Sequence, residues 1–282
     1  MGDTLSKTQP LQIDLSDSPL WHRWLQPLWA ARQFLPAPFD ASQIASDMAA
    51  YDAADASGYR AELLTVLRRH LTAAKNTIEQ DFLATHDGAV YVGQHARCID
   101  ALLRLLRDEA CKIIPQSDAI AVIAVGGYGR GEMAPFSDID VMFLMPAKTS
   151  KKHEAAIEFM LYLLWDLGLK IGHSTRSITE AINAGRDDQT VMTSFLEMRL
   201  VCGDAALWTK LSDALRLEIA KNKPLVFVEE KLAERDLRHK RFGDTRYVVE
   251  PNVKDGKGGL RDLHSLFWIA KYAYRADSIM DV

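Results

Sequence analysis

Asp138 and Asp140 are separated by a single isoleucine, inside the apolar stretch Ile139-Asp-Val-Met-Phe-Leu144. On a β-strand, side chains at i and i+2 share a face. The two carboxylates therefore project together, while Ile139 and Val141 point to the other side. Two carboxylates a few ångströms apart repel each other unless a cation joins them. Paired hard oxygens suit Mg²⁺, which is held by one or two carboxylates and completes its shell with substrate phosphates. Upstream stands Gly126-Gly127, separated from Asp138 by the ten residues Tyr128 to Ser137. A glycine pair lets the backbone approach a phosphate, and its amides can cradle the anion. The Arg130 guanidinium can grip a phosphate in bidentate fashion, and Ser137 can donate a hydrogen bond. The expected constellation is a metal-binding, catalytic pair, Asp138 and Asp140, facing a phosphate cradle of Gly126, Gly127, Arg130 and Ser137.

Three common phosphate loops do not apply. No Gly-Lys-Ser or Gly-Lys-Thr occurs, which excludes a Walker A loop. After Gly127 and Gly129 the position of a third glycine is taken by Glu132, so the GxGxxG spacing of dinucleotide-binding and kinase loops fails.

The elements that must position these residues follow from periodicity and punctuation. Ala119 to Val125 is a short, largely β-branched run closed by two glycines, which predicts a buried strand. A turn entering a short helix is expected over 128–134, and a second strand over 139–145. An amphipathic helix is expected over 153–167, and a third strand over 169–176. Apolar residues at spacings of three and four (Leu63, Leu67, Leu71, Ala74, Ile78, Phe82) predict a helix over 59–84. Ile99, Leu102, Leu103 and Leu106 predict another over 92–110. Beyond the third strand the pattern is helical: 188–202, 205–221, a helix opened by Pro224, and a last one from Leu260, after a glycine-rich irregular stretch over 247–259. The fold class expected is α+β, a small mixed sheet with helices before it and a helical region after it. Three parts are expected: a loosely structured leader over 1–58, in which Trp21, Trp24 and Trp29 suggest docking on something apolar, a core over 59–200 and a helical part over 201–282.

Composition removes other classes. The chain has 282 residues, 48% hydrophobic and 26% charged, with a net charge of −4. That is a globular composition with no basic field for coating nucleic acid, so no nucleic-acid partner is expected. Cys98, Cys111 and Cys202 form no zinc spacing, and such a sparse, odd set suits reduced thiols in the cytoplasm. The charged N-terminus predicts no secretory leader. The apolar run near the middle is far shorter than the roughly 20 residues a membrane span needs.

The segment Val125-Gly-Gly-Tyr-Gly-Arg-Gly-Glu132, followed by Ser137-Asp-Ile-Asp140, resembles the core motif of the polymerase-β-like nucleotidyltransferase superfamily. Its wording is similar to that of the bifunctional PII-protein uridylyltransferase/uridylyl-removing family. A second stretch, Glu250-Pro-Asn-Val-Lys-Asp-Gly-Lys-Gly-Gly-Leu-Arg-Asp-Leu-His264, also resembles that family. The likeness runs from about residue 60 to the end. It implies a polymerase-β-like fold and Mg²⁺ held by Asp138 and Asp140, with Gly126, Gly127 and Arg130 on the triphosphate. It also implies transfer of UMP from UTP to a tyrosine of the PII signalling protein, with release of pyrophosphate.

Superfamily members generally add a third carboxylate. The third strand contains none, which leaves His173 and Glu197 as candidate bases. In the second motif, Lys254, Lys257 and Arg261 can supply phosphate or partner contacts, whereas Arg235, Arg238, Lys240 and Arg241 read as a solvated helix face. No His-Asp pair has surroundings that suit a hydrolytic metal site, Asp262-Leu-His264 not being an adjacent pair, and family members are several times longer. The resemblance therefore implies a truncated transferase part without uridylyl removal or glutamine sensing. Two other readings stay open: a module that binds nucleotide or partner with little activity, and a nucleotidyltransferase with another acceptor.

Overall fold

The computed structural model describes residues 39–51, 56–243, 245 and 250–275. The elements in chain order are α1 (Ala41–Met48), α2 (Ala56–Thr85), α3 (Gly88–Ile113), β1 (Ala121–Ala124), the single turn α4 (Gly126–Gly129), β2 (Ile139–Leu144), α5 (Lys151–Asp166), β3 (Ile171–Arg176), α6 (Ile178–Asp187), α7 (Gln189–Phe195), β4 (Arg199–Gly203), α8 (Ala205–Lys221), α9 (Pro224–Arg241) and α10 (Leu260–Tyr274). Most of the expected leader, with Trp21, Trp24 and Trp29, lies outside the described residues. Its last part forms α1, which buries Ile44 and Met48.

Helix starts are written in the sequence. Asp40, Asp87, Asp188 and Asp204 cap α1, α3, α7 and α8, each accepting two backbone N–H bonds through its side chain. Such caps satisfy donors that the first helical turn leaves open. Ser177 and Glu180 form a capping box on α6, and Pro224 opens α9.

The four strands form one mixed sheet in the order β3-β2-β1-β4. β1 runs antiparallel to β2 and β4, and β2 runs parallel to β3 across the α5 crossover. Both faces are covered, which is why β1 is a continuous apolar run. Val122, Ala124, Val141 and Phe143 pack with α2, α3 and α5 in one cluster. Ala121, Ile123, Met142 and Leu144 pack on the other face with Phe195, Leu207, Phe227 and Trp268. The helices after the sheet thus share its second core, and α10 is carried back to the strand ends.

Two expectations need correction. The single helix expected over 188–202 is the short α7 followed by strand β4. Arg199-Leu-Val-Cys-Gly203 pairs with β1, and tertiary pairing overrides the helical periodicity that precedes it. The helical turn expected after residue 128 already begins at Gly126. Among the described residues no helix is long and apolar enough to cross a membrane.

Candidate active site

The end of β1 and the start of β2 lie side by side. The Val125 N–H donates to the Asp140 carbonyl at 3.1 Å, which seats the α4 turn against Asp140. Gly126 opens that turn at φ +57°, a region that strains residues with a side chain. Asp138 is exposed, just before β2, and Asp140 is half-buried within it, with Ile139 buried between them. In the parallel pairing Asp140 stands opposite Gly172. A β-carbon on Gly172 would come within 2.4 Å of Asp140 Oδ1, so the missing side chain is the slot in which the carboxylate lies. Burial first, and the charge of Asp138 second, push the Asp140 carboxyl above its ordinary range.

Converging carboxylates that resist joint ionisation suit a bound cation, and their hard oxygens fit Mg²⁺. Among the described residues no group of three or more His, Cys, Asp or Glu side chains assembles around one point.

Behind the turn lies a buried polar network. Tyr128 Oη donates to Asp100 Oδ1 at 2.7 Å, and Arg199 grips the same carboxylate through bonds of 2.9 and 2.8 Å. Arg199 also donates to the Tyr128 carbonyl at 3.3 Å and stands 5.1 Å over its ring. Asp100 is only 2% exposed, so its charge depends on these partners. Burial, with Asp100 beside it, drives the Tyr128 phenol well above its ordinary range. The network ties α3, the α4 turn and β4 into one rigid backing.

In front of the turn, Arg130 Nε donates to Glu132 at 3.0 Å, and its Nη1 lies 3.6 Å from Glu197. Glu197 is 5% exposed, in the bend before β4. Burial raises its carboxyl, against the opposing pull of Arg130 and Lys271. Lys271, on α10, donates to the Leu196 carbonyl at 2.6 Å.

The glycine-rich stretch before α10 is a run of turns. Asn252 Oδ1 accepts from the Lys254 and Asp255 N–H groups at 3.0 and 2.8 Å. Asp262 fastens the start of α10 to α9, accepting from Arg238 at 2.6 Å, His239 at 2.9 Å and the Gly258 N–H at 2.8 Å. His264 comes within 4.0 Å of Glu132. Burial, then Arg130, Arg261 and Lys254, lower its imidazole to about 4. The two motifs, far apart in sequence, thus meet at Glu132 and His264.

Comparison with known proteins agrees with this geometry. Residues 103–199 match the family model of a nucleotidyltransferase domain, and residues 226–282 match that of the GlnD PII-uridylyltransferase. The bifunctional uridylyltransferase/uridylyl-removing enzyme of Rhodospirillum rubrum is 46% identical over 230 residues, 79% of this chain and 25% of that protein. Those of a Bradyrhizobium species and Ruegeria pomeroyi are 43% identical over 255 residues and 45% over 233, covering 87% and 80% of this chain and 27% and 26% of theirs. The chain is a relative of the bifunctional uridylyltransferase/uridylyl-removing enzymes. It spans about a quarter of the length of these relatives.

The α+β fold with its small mixed sheet is the nucleotidyltransferase core expected from the sequence. Within this uridylyltransferase-like chain, Gly126 lies against the Asp140 carboxylate and Gly127 against the Arg130 guanidinium. Ser137 takes a different position. It lines a cavity of about 680 Å³ with Phe82, Tyr91 and Phe136, on the α2–α3 side of the sheet. His173 is in register with Val141 and packs on Trp165 at 5.9 Å, on the face away from the aspartates. The β3 residues on the Asp140 side are Gly172, Ser174 and Arg176, so β3 supplies no third carboxylate. Glu197 is no surface residue but the buried partner of Arg130. Lys254 and Arg261 act on His264, whereas Lys257 lines a groove with Arg235, His239 and Lys240. The stretch expected to be a solvated helix face is therefore partly enclosed: Arg238 is 11% exposed and His239 is buried in their pairing with Asp262.

Asp100, Arg199, Gly172, Glu132 and His264 were not anticipated as site residues. One signal was available for Asp100. It is a carboxylate directly beside the apolar face of Ile99, Leu102 and Leu103, where a charge needs a partner.

Proposed function

We propose that this chain transfers UMP from UTP to a tyrosine hydroxyl of the PII signalling protein, releasing pyrophosphate, in the cytoplasm. The observation that carries the reading is the Asp138/Asp140 pair seated against the Gly126 turn, inside the nucleotidyltransferase match. Uridine and PII as substrates are supported by the names of the matching family and relatives. Free thiols at Cys98, Cys111 and Cys202 suit a reducing compartment.

Asp138 and Asp140 would hold Mg²⁺, which when bound neutralises charge on the polyphosphate. The Gly126–Gly127 backbone and Arg130 receive the phosphates, and Glu132 and Glu197 keep the guanidinium aimed until they arrive. The Asp100–Tyr128–Arg199 network fixes the turn, so little reorganisation accompanies reaction. The tyrosine oxygen bonds to the α-phosphorus, the bond to the pyrophosphate oxygen breaks with its electron pair, and the hydroxyl proton passes to water. Positioning accounts for most of the rate gain in such a transfer.

The test is incubation of the purified chain with Mg²⁺, PII and UTP labelled in its α-phosphate. Label on PII is expected, and Asp138→Asn with Asp140→Asn should abolish it. An unlabelled PII after reaction with the intact chain contradicts the reading. Transfer from ATP in place of UTP would reassign the nucleotide.

A further inference from the structure

Helix α10 presents two faces to different neighbours. Asp262 turns to α9, where Arg238 and His239 hold it. Arg261, His264, Trp268 and Lys271, spaced three, four and three apart, fall on one stripe of the helix. That stripe faces the nucleotidyltransferase core: His264 reaches Glu132, and Lys271 reaches the Leu196 carbonyl. Trp268 is the buried floor, with the Arg261 guanidinium 5.8 Å above its ring and the His264 ring 5.8 Å away.

We propose that Arg261 and His264, with Lys254 from the preceding turn, form the second wall of the nucleotide site and take the polyphosphate of a nucleoside triphosphate across the groove from Gly126 and Arg130. The proposal rests on the nucleotidyltransferase reading above and extends it to the second motif. The two sides are linked by the chain Arg130–Glu132–His264. Glu132 partners Arg130, and Asp255 partners Arg261 at 3.6 Å. These partly exposed carboxylates hold the guanidinium groups in place before an anion arrives, and a polyphosphate with denser charge displaces them. Burial first, and the neighbouring Arg130, Arg261 and Lys254 second, keep His264 neutral, so it offers an N–H without adding another charge to the wall. The wall is therefore matched to an anion rather than to a base or an aromatic side chain, because Trp268 is covered on this side.

The experiment titrates the intact chain with Mg²⁺·UTP, and separately with uridine, by calorimetry. His264→Ala, Lys254→Ala and Arg261→Ala should each weaken UTP binding about 10-fold, the effect of one lost charge-assisted hydrogen bond, and leave uridine unaffected. His264→Gln, which keeps a donor, should recover most of the loss. Arg235→Ala on α9, partly exposed and paired with Asp236, should change nothing. In the transfer assay the KM for UTP should rise while that for PII stays constant. Unchanged UTP affinity in all three alanine variants overturns the proposal, as does a rise in the KM for PII alone, which would make this stripe an acceptor surface. A chain that binds Mg²⁺·UTP through these residues but never labels PII would refute the proposed function and leave the second wall standing.

Discussion

The two walls of the groove are built by opposite means. The α4 turn is backed by a polar network out of water: Asp100 is 2% exposed, and its hydrogen-bond partners Tyr128 and Arg199 come from two other elements. The α10 wall is fastened through Asp262, whose side chain is 21% exposed, and through hydrogen bonds of its own turns. A buried charge network is costly to break, because any partner removed leaves a charge stranded, whereas a partly solvated pair contributes little. The difference teaches that the sheet-side wall is preorganised and that the α10 wall is the part able to yield as a ligand enters.

The largest effect should come from Arg199→Met, which leaves the buried Asp100 with only Tyr128 and, 3.7 Å away, the partly exposed Arg104. We expect a loss of about 3–5 kcal/mol in denaturant unfolding. Tyr128→Phe removes one bond to the same carboxylate, and a loss of about 1–2 kcal/mol is expected. A smaller cost for Arg199→Met than for Asp262→Ala would reverse the contrast.

Gly172→Ala separates catalysis from stability. The new methyl meets Asp140 Oδ1, so the carboxylate must leave its slot. We expect turnover to fall about 100-fold, as misplacement of a reacting group by about 1 Å does, with a small change in Tm. Unaltered turnover would show that the slot does not position Asp140.

Asp262→Ala frees the start of α10 from Arg238 and His239. We expect about 1–2 kcal/mol in global stability, because Asp262 itself is 21% exposed although Arg238 and His239 are only 11% and 9% exposed. Amide exchange should quicken over 250–275 and stay unchanged over α3 and β4. Equal quickening in both regions would mean that the two walls open together.

A further effect is one of pH. His264 titrates near 4 in the folded chain against an ordinary value near 6.5, so the unfolded chain binds the proton more readily. Stability should therefore be fully present above about 6.5 and decline as pH falls from there to about 4. His264→Gln should flatten Tm against pH across that window. An unchanged slope would place the histidine in water.

What the sequence revealed depended on how local the information was. The Gly126 turn and the aspartate pair were readable because strand, glycine pair and i, i+2 carboxylates lie within one short segment. The helix starts at 188 and 205 were readable because Asp188 and Asp204 cap through their own neighbours, whereas the helix expected from 92 opens earlier, at Gly88 behind its cap Asp87. β4 was hidden, since Arg199 to Gly203 becomes a strand only by pairing with β1. Asp100, Arg199 and Tyr128 come from three elements, and nothing in any one of them names the other two. Gly172 looked like an ordinary strand residue until its register placed it opposite Asp140. The 250–264 motif was recognisable by resemblance, but the stripe from Arg261 to Lys271 acquires a partner only when α10 packs against the core.

The central claim is that two distant motifs build one nucleotide site. The most direct measurement is a double-mutant cycle on Mg²⁺·UTP binding with Arg130→Ala and His264→Ala. Residues that share a ligand through a bridging Glu132 should be coupled, with the joint loss differing from the sum of single losses by about 0.5 kcal/mol or more. Strictly additive losses, or an unchanged affinity on His264→Ala, would contradict a shared site.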